Sequence, residues 1–290
     1  REVARNHEHY KSAVAEGAGR GVAMGYWINA GMQSSATLNV IADGHVAILT
    51  GSPDIGGSRA SMALMASEVL GIPFEHIHPQ VAATDAVGHT DLTGGSRTTL
   101  ATGQAVIQAA EQCVAELCRR AAAEWEVEPG VVTWSQGAAH YGEQSLTFEE
   151  LASRAGAMGG PLTFSSSLTS TSTAPGFGVH VCDAEVDKET GRITITRYTA
   201  IQDAGKAIHP DYVEGQMQGG AVQGIGWALN EEYVYSADGV LENPAFLDYR
   251  IPVASDLPFI DTVIVEVPNP LHPFGVKGVG EVPIVPPMPA

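Results

Sequence analysis

Polar and apolar residues alternate along several short stretches of this chain, which is the pattern of half-buried β-strands. Residues 36–41 and 45–50 alternate in this way on either side of Asp43-Gly44. An Asp-Gly pair between two alternating runs is a strong signal for a β-hairpin. Residues 179–187 and 192–199 flank a second short turn at 188–191, and they predict a second hairpin.

Three longer stretches repeat their apolar residues with the 3.6-residue period of a helix. They are residues 58–70, 99–123 and 213–227. Hairpins separated by helices, without regular alternation of strand and helix, predict an α+β fold with mixed sheets. The Ser- and Thr-rich segment 165–173 fits a linker or an exposed extended loop. It divides the chain into two predicted subdomains, 1–170 and 171–290.

The chain is strongly acidic. Its 290 residues include 15 Lys and Arg against 33 Asp and Glu, which gives a formal net charge of −18. A surface of this charge repels nucleic-acid backbones and anionic membranes, so we expect neither as a partner. No apolar run reaches the roughly 18 residues that a membrane-spanning helix needs, so we expect no membrane span.

The cysteines and histidines limit the metal chemistry of the chain. An odd, small number of cysteines (Cys113, Cys118 and Cys182) argues against a disulfide framework and favours a reducing compartment, the cytoplasm. Three cysteines also cannot hold a four-cysteine iron–sulfur cluster by themselves. The His-x-His pairs at 7–9 and 76–78 do not fall in a zinc-ligand pattern, so we predict no protein ligand to a metal.

Glycine is abundant and clustered. The 33 glycines concentrate within residues 17–25, 51–57, 94–95, 215–226 and 275–280. Any one cluster is explained by tight turns, because glycine permits a positive φ and a close approach of the backbone. The five clusters together indicate several loops that converge on a ligand.

Two of the glycine clusters lead into predicted helices. Gly56 and Gly57 precede a helix that Ser58 could cap, and the free N–H groups of its first turn form an anion site. No Gly-Lys-Ser/Thr follows, so this is not a P-loop. The second loop combines glycines, hydroxyls and a positive charge at the start of the long helix, which suits a phosphate or pyrophosphate: Gly94, Gly95, Ser96, Arg97, Thr98 and Thr99. For both loops an ordinary capped helix remains an alternative.

The two remaining glycine-rich segments carry polar side chains. The helix at 213–227 contains Gln216, Gln218 and Gln223, whose amides could hydrogen-bond a flat heterocycle or satisfy neighbouring backbone. The segment 274–283 holds one carboxylate, Glu281, between glycines and an apolar tail that includes Val282. Such a carboxylate could act as a general base, or it could be a surface acid.

Taken together, these segments resemble the molybdenum hydroxylases, the family of xanthine oxidase and aldehyde oxidase. The resemblance lies in residues 203–210, 213–226 and 275–281, with 185–191 and the 96–99 loop in the same order. It extends over nearly the whole chain from Gly21 to Ala290. It implies the second of the two molybdopterin-binding halves of these enzymes.

The resemblance also implies a role for each candidate residue. The loop Ser96, Arg97, Thr98 and Thr99 and the helix residue Gln216 would hold the pterin and its phosphates. Glu281 looks like the catalytic base of the family, which takes a proton while an oxygen derived from water attacks an electrophilic carbon. The expected cofactor is molybdenum-molybdopterin, in the cytosine dinucleotide form that bacterial relatives suggest. Iron–sulfur clusters and FAD are expected on other chains or domains.

The chain departs from the family in two respects. Many members have Gly-Gln-Gly where this sequence has Ile55, Gly56, Gly57 and Ser58, so a side-chain amide contact is lost and backbone contacts from Gly56 and Gly57 remain. The other cofactor-binding half is absent, so we expect either a subunit of a split enzyme or a fragment of a longer chain. The partners expected are a second molybdopterin-binding chain or domain, with iron–sulfur and flavin subunits.

These features lead to one main hypothesis and one rival. The main hypothesis is an oxidoreductase that hydroxylates an N-heteroaromatic or aldehyde substrate with water; a relative that works reductively on an aromatic thioester is a variant of it. The rival is a non-catalytic scaffold that retains the fold and supports assembly. Glu281 and Arg97 favour the first.

Overall fold

The structure is a computed structural model that describes residues 1–170 and 173–290. Its helices are α1 (Glu2–Asn6), α2 (Glu8–Lys11), α3 (Ser58–Leu70), α4 (Gly103–Glu124), α5 (Phe148–Ser153) and α6 (Pro210–Leu229). Its strands are β1 (Ala18–Trp27), β2 (Met32–Val40), β3 (Val46–Thr50), β4 (Ile77–Val81), β5 (Thr133–Ser135), β6 (Ala138–Tyr141), β7 (Gln144–Thr147), β8 (Leu162–Ser170), β9 (Gly176–Val186), β10 (Ile193–Asp203) and β11 (Ile260–Val265). The α+β prediction is confirmed.

The chain forms two compact units. Unit 1 consists of residues 1–29, 174–270 and 275–290, and unit 2 consists of residues 30–173 and 271–274. The predicted subdomains, 1–170 and 171–290, place the first 29 residues in the other half. The structure groups them with the second half because β1 pairs with β9 along its whole length, from Ala18 opposite Glu185 to Trp27 opposite Gly176.

Unit 2 is built on a four-stranded sheet in the order β4-β3-β2-β8, with a small sheet β5-β6-β7 beside it. The first predicted hairpin is confirmed, since β2 and β3 pair antiparallel around the Asp43-Gly44 turn and Gly44 has a φ of 85°. Burial alternates along β3, and its buried side chains belong to the same hydrophobic core as those of α3 and α4. The core includes Leu38, Val46, Ile48, Met62, Leu70 and Val106.

The Ser-rich segment is partly a strand. Residues 165–170 form the end of β8, which pairs antiparallel with β2, so the prediction of a linker or exposed loop is wrong for them. Small hydroxyl side chains fit the inward positions: the Ser166 hydroxyl is buried and donates to the Gln108 side-chain oxygen at 2.8 Å. Thr171 and Ser172, which belong to the same prediction, lie outside the described residues.

Unit 1 is built on a four-stranded sheet in the order β1-β9-β10-β11. The second predicted hairpin is confirmed, because β9 and β10 pair antiparallel. Its turn is fixed by Asp187, whose carboxylate accepts hydrogen bonds from the N–H groups of Glu189 and Thr190. Helix α6 covers the sheet, and the core between them includes Tyr198, Ala200, Met217, Ala221, Ile225 and Ile260. Among the described residues, no helix is both long enough and apolar enough to cross a membrane.

Candidate functional site

The first predicted loop lies in unit 2, where β3 leads into α3. Gly56 and Gly57 have φ values of 56° and 79°, a left-handed conformation that glycine adopts without strain. The cap of α3 is Gly57 and Ser58 is the first helical residue, so the prediction that Ser58 caps the helix is wrong. Within the described residues, nothing accepts a hydrogen bond from the backbone N–H of Gly56 or Gly57.

A carboxylate lies at the same helix start. Oδ1 of Asp54 accepts the backbone N–H of Arg59 at 3.1 Å, and Oδ2 pairs with the Arg59 side chain at 2.8 Å. Burial acts to raise the pKa of Asp54, but these hydrogen bonds outweigh it and hold the pKa below its ordinary value. The carboxylate is therefore ionised at neutral pH and competes with an external anion for the positive end of α3.

The second predicted loop also lies in unit 2, at the start of α4. Gly95 and Ser96 have positive φ values of 76° and 56°, and the next residue, Arg97, is right-handed. Such an alternation turns successive N–H groups toward one side and forms an anion-binding concavity. The helix then opens with a π turn, Thr98–Thr102, a feature found mostly at functional sites.

The Arg97 side chain is completely buried and ties this loop to residues 31–34 and 91–92. Nε donates to the Gly31 carbonyl at 2.7 Å, and the Ser34 hydroxyl accepts from Nη2 at 2.5 Å. The other hydrogen bonds run to the carbonyls of Asp91, Leu92 and Gln33. All five guanidinium donors therefore have acceptors inside the protein, so the side chain has no donor left for a cofactor.

The charge of Arg97 nevertheless has no salt-bridge partner among the described residues. Burial lowers the pKa of Arg97 from its ordinary value, and the nearby charge of Asp91 offsets this effect only in part. A buried cation without a counterion favours an anion nearby. The hydroxyl of Thr98, the next residue, is also buried and has no hydrogen-bond partner among the described residues.

A chain of buried hydroxyls fixes the two loops of unit 2. Oγ1 of Thr102 lies 3.1 Å from Oγ of Ser34 and 2.8 Å from Oγ of Ser52. Ser52 in turn donates its N–H to Oγ1 of Thr50 at the end of β3. The network connects the Arg97 loop to the segment that leads to Gly56. Sequence reasoning missed these residues, although Ser34 shares the inward face of β2 with Ala36 and Leu38, where an apolar residue is expected.

Gln216 lies in unit 1, on a half-buried face of α6. None of the described residues forms a hydrogen bond with its amide. Gly215 and Gly219 lie next to it on the helix, and a Cβ added to either would meet no atom within 4 Å. Gln216, Gly215 and Gly219 therefore form an open surface of α6, which we call the cradle. Gln218 behaves differently, because its Nε2 donates to the Ile260 carbonyl at 3.2 Å and so satisfies the backbone.

Glu281 also lies in unit 1, half-buried, immediately before the short 3₁₀ turn Val282–Ile284. The following Val282 is fully buried. The loop packs against α6 at Gly220, where an added Cβ would lie 3.0 Å from the Gly280 carbonyl oxygen and 2.4 Å from Cγ of Pro283. Gly220 is one helical turn from Gln216, so the two predicted residues of unit 1 lie on neighbouring parts of the same surface.

The predicted residues thus fall into two groups. Unit 2 holds Gly56, Gly57, Ser96, Arg97, Thr98 and Thr99, and unit 1 holds Gln216 and Glu281. The residues of each group fit an anionic, hydrogen-bonding cofactor. Unit 2 offers the N–H groups of Gly56 and Gly57, the Thr98 hydroxyl and the buried charge of Arg97, and unit 1 offers the Gln216 amide between two open glycines. Their assignment as cofactor ligands and catalytic base stays a prediction.

Comparison with known proteins identifies what this chain is similar to. A family model described as a molybdopterin cofactor-binding domain matches residues 2–258. The chain is 31% identical, over 87% of its length, to a putative xanthine dehydrogenase molybdenum-binding subunit of Escherichia coli (strain K12). It is also 31% identical, over 88% of its length, to the carbon monoxide dehydrogenase large chain of Afipia carboxidovorans. These alignments cover 35% and 32% of the two relatives, so the chain spans about a third of their length.

Solved structures show the same fold. A Cu,Mo-containing CO dehydrogenase superposes with a TM-score of 0.85 at 27% identity, over 93% of this chain and 37% of that one. Quinoline 2-oxidoreductase from Pseudomonas putida 86 superposes with a TM-score of 0.83 at 25% identity, over 94% of this chain and 38% of that one. These relatives are named as dehydrogenases and oxidoreductases.

Proposed function

This chain belongs to the molybdopterin cofactor-binding domain family, and on that premise we propose that it forms part of the cofactor site of a molybdenum-dependent hydroxylase. The observation that carries the proposal is the loop at the start of α4. There the buried guanidinium of Arg97 forms no salt bridge, and the next residue, Thr98, has a buried hydroxyl without a hydrogen-bond partner within the described residues. An anionic phosphate on the loop would supply both the missing counter-charge and the missing hydrogen bond.

The residues divide the work of binding. In unit 2, the N–H groups of Gly56 and Gly57 and those of the Ser96–Thr99 loop would hold phosphate oxygens, and Arg97 would contribute its charge without direct contact. In unit 1, the Gln216 amide would hydrogen-bond the pterin, and the open glycines beside it would let a flat ring approach the helix. This pattern also suits the cytosine dinucleotide form of the cofactor, whose second phosphate needs further N–H donors.

When bound, the molybdopterin supplies the two-electron redox chemistry of the reaction. The part of this chain is proton transfer. We assign to the Glu281 carboxylate the role of a general base, which accepts the proton released as oxygen from water adds to an electrophilic carbon of the substrate. The next residue, Val282, is fully buried and so anchors the chain directly after Glu281.

The names of the relatives support a proposal for the substrate and the partners. We propose an N-heteroaromatic compound or an aldehyde as the substrate, since relatives are named for nicotine, quinoline and aldehydes. The electrons would pass to iron–sulfur and flavin centres on other chains or domains, with a second molybdopterin-binding chain or domain completing the cofactor site. The free cysteines favour a reducing compartment, and we propose the cytoplasm.

One observation favours the rival function, a non-catalytic scaffold. Asp54 places an ionised carboxylate at the start of α3, where the main proposal needs a phosphate oxygen. A chain that had lost cofactor binding would retain the fold and could still support assembly. The two functions differ in whether Glu281 contributes to turnover.

The test is the Glu281→Gln variant, purified as the native complex. We expect turnover on a panel of quinoline, nicotine, benzaldehyde, xanthine and carbon monoxide to fall by about 10²–10⁴-fold while the molybdenum content stays normal. Glu189→Gln, which changes an exposed Glu in the β9–β10 turn, is the matched control and should leave turnover unchanged. Wild-type turnover in the Glu281→Gln complex would rule out the base and favour the scaffold.

A further inference from the structure

Two amide side chains outside every predicted motif contact the backbone just before Glu281. Oδ1 of Asn29 accepts the N–H of Gly278 at 2.9 Å, and Nε2 of Gln202 donates to the carbonyl of Val279 at 2.9 Å. The two contacts fall on consecutive residues, and Glu281 follows two residues later. Both side chains belong to unit 1, as the loop does.

Asn29 has the features of a residue kept for a specific contact. It is fully buried, and its φ of 43° lies in the left-handed region, which few residues other than glycine and asparagine adopt. Burying an amide carries a desolvation penalty unless its atoms are hydrogen-bonded. Asn29 nevertheless satisfies only Oδ1, since Nδ2 finds no partner in the described part of the chain. The Gly278 contact is therefore what this side chain supplies.

Gln202 shows the same imbalance near the end of β10. It is 1% exposed, its Nε2 contacts the loop, and its Oε1 has no partner within the described residues. An apolar side chain of equal length would fill the same space without an unpaired buried oxygen. Oδ2 of the next residue, Asp203, lies 2.6 Å from Nζ of Lys277 in a salt bridge. The end of β10 therefore contacts the loop through two successive side chains.

The other side of Glu281 is held by apolar packing. Val282 is fully buried and fits against β9 where two glycines leave room: an added Cβ on Gly176 would lie 2.8 Å from it, and one on Gly178 3.3 Å. Pro283 fits in the same way against Gly220 of α6. Glu281 therefore stands between a polar clamp on its N-terminal side and an apolar anchor on its C-terminal side.

We infer that Asn29 and Gln202 are positioning residues that hold the loop of residues 278–281, so that the Glu281 carboxylate occupies one place during proton transfer. The inference rests on the proposed function, because it assigns the base of that reaction its supports. Neither residue touches a reacting group, so each acts only through Glu281. A displacement of about 1 Å in a catalytic group is enough to slow a reaction about 100-fold.

The variants separate the side chain from the backbone. Asn29→Gly removes the acceptor while the left-handed backbone stays unstrained, and Asn29→Asp retains an acceptor oxygen. Gln202→Met keeps the length of the side chain and removes the donor. The matched control is Asn243→Gly, because Asn243 clamps a different loop of unit 1 by accepting from the N–H of Val234 and donating to the Glu232 carbonyl.

Hydrogen exchange of the purified native complex gives a readout that needs no turnover. We expect peptides covering residues 276–283 to exchange about 5–10-fold faster in Asn29→Gly and Gln202→Met, as the loss of one hydrogen bond predicts, and to exchange at the wild-type rate in Asn243→Gly. Exchange at the wild-type rate in both test variants would overturn the inference.

Turnover then distinguishes a role in positioning Glu281 from a role in the stability of the fold alone. We expect kcat to fall about 10–100-fold in Asn29→Gly, with KM and molybdenum content unchanged and with recovery in Asn29→Asp. In a Glu281→Gln background the same substitution should have less than about a 2-fold further effect, because its target is already absent. Losses that multiply in the double variant would overturn the inference. A native complex without molybdenum would overturn the proposed function alone, since the exchange experiment still decides whether the two side chains hold the loop.

Discussion

Replacement of Gly219 by leucine should affect stability and cofactor binding in opposite directions. Gly219 lies inside α6 on the exposed face beside Gln216, and a Cβ there meets no atom within 4 Å. Leucine is a better helix former than glycine by about 0.5–1 kcal/mol, and nothing in the structure opposes it. The free energy of unfolding should therefore rise by about that amount. The leucine would, however, fill the cradle in which we place the pterin.

The assay compares two quantities on the same preparation. Urea unfolding gives the free energy of unfolding, and metal analysis with pterin fluorescence gives the cofactor content of the native complex. We expect a gain in stability together with a loss of most of the cofactor. Ala228→Leu, which adds the same side chain to an exposed position in the last turn of α6, should leave the cofactor content unchanged. Normal cofactor content in Gly219→Leu would refute the assignment of this face.

Two further predictions concern buried charge. Arg97→Met removes a cation with five hydrogen bonds and leaves buried carbonyls unpaired, so urea unfolding should show a loss of about 3–5 kcal/mol; a loss below about 1 kcal/mol would contradict a structural role. Burial lowers the pKa of His180 to about 3 in the folded protein. As the pH falls, His180 is therefore protonated in the unfolded chain before it is protonated in the folded one. The free energy of unfolding should then decrease below about pH 6.5 by up to about 1.4 kcal/mol per pH unit, and urea unfolding of His180→Gln between pH 7 and 5 should show a shallower decrease.

Local patterns were sufficient for much of the fold. Both hairpins and the helix at 58–70 follow from residue spacing and turn residues, because each depends on contacts between near neighbours. The Ser-rich end of β8 was mistaken for a linker, since hydroxyls are common in loops and only pairing with β2 makes them a strand. Strand β1 was missed for a similar reason: its partner β9 lies more than a hundred residues away.

The candidate site was predictable only in part. Gly56, Gly57, Gln216 and Glu281 stand out in the sequence because glycine clusters surround them. The different role of Arg97 was hidden, because the acceptors that take up its donors lie mostly at residues 31–34, far away in the sequence. Asn29 was missed for the same kind of reason, because the glycine that it contacts lies 249 residues later in the sequence. Hydrogen bonds between residues so far apart in the sequence depend on tertiary structure, so the spacing of residues does not reveal them.

The central claim is that this chain helps to hold a molybdopterin cofactor. The most direct measurement is molybdenum analysis together with pterin fluorescence on the chain, purified alone and with the chains that co-purify with it. We expect both signals in the native complex, in equal molar amounts, and their loss in Gly219→Leu. An intact native complex that contains neither molybdenum nor pterin would contradict the account and leave the scaffold function in its place.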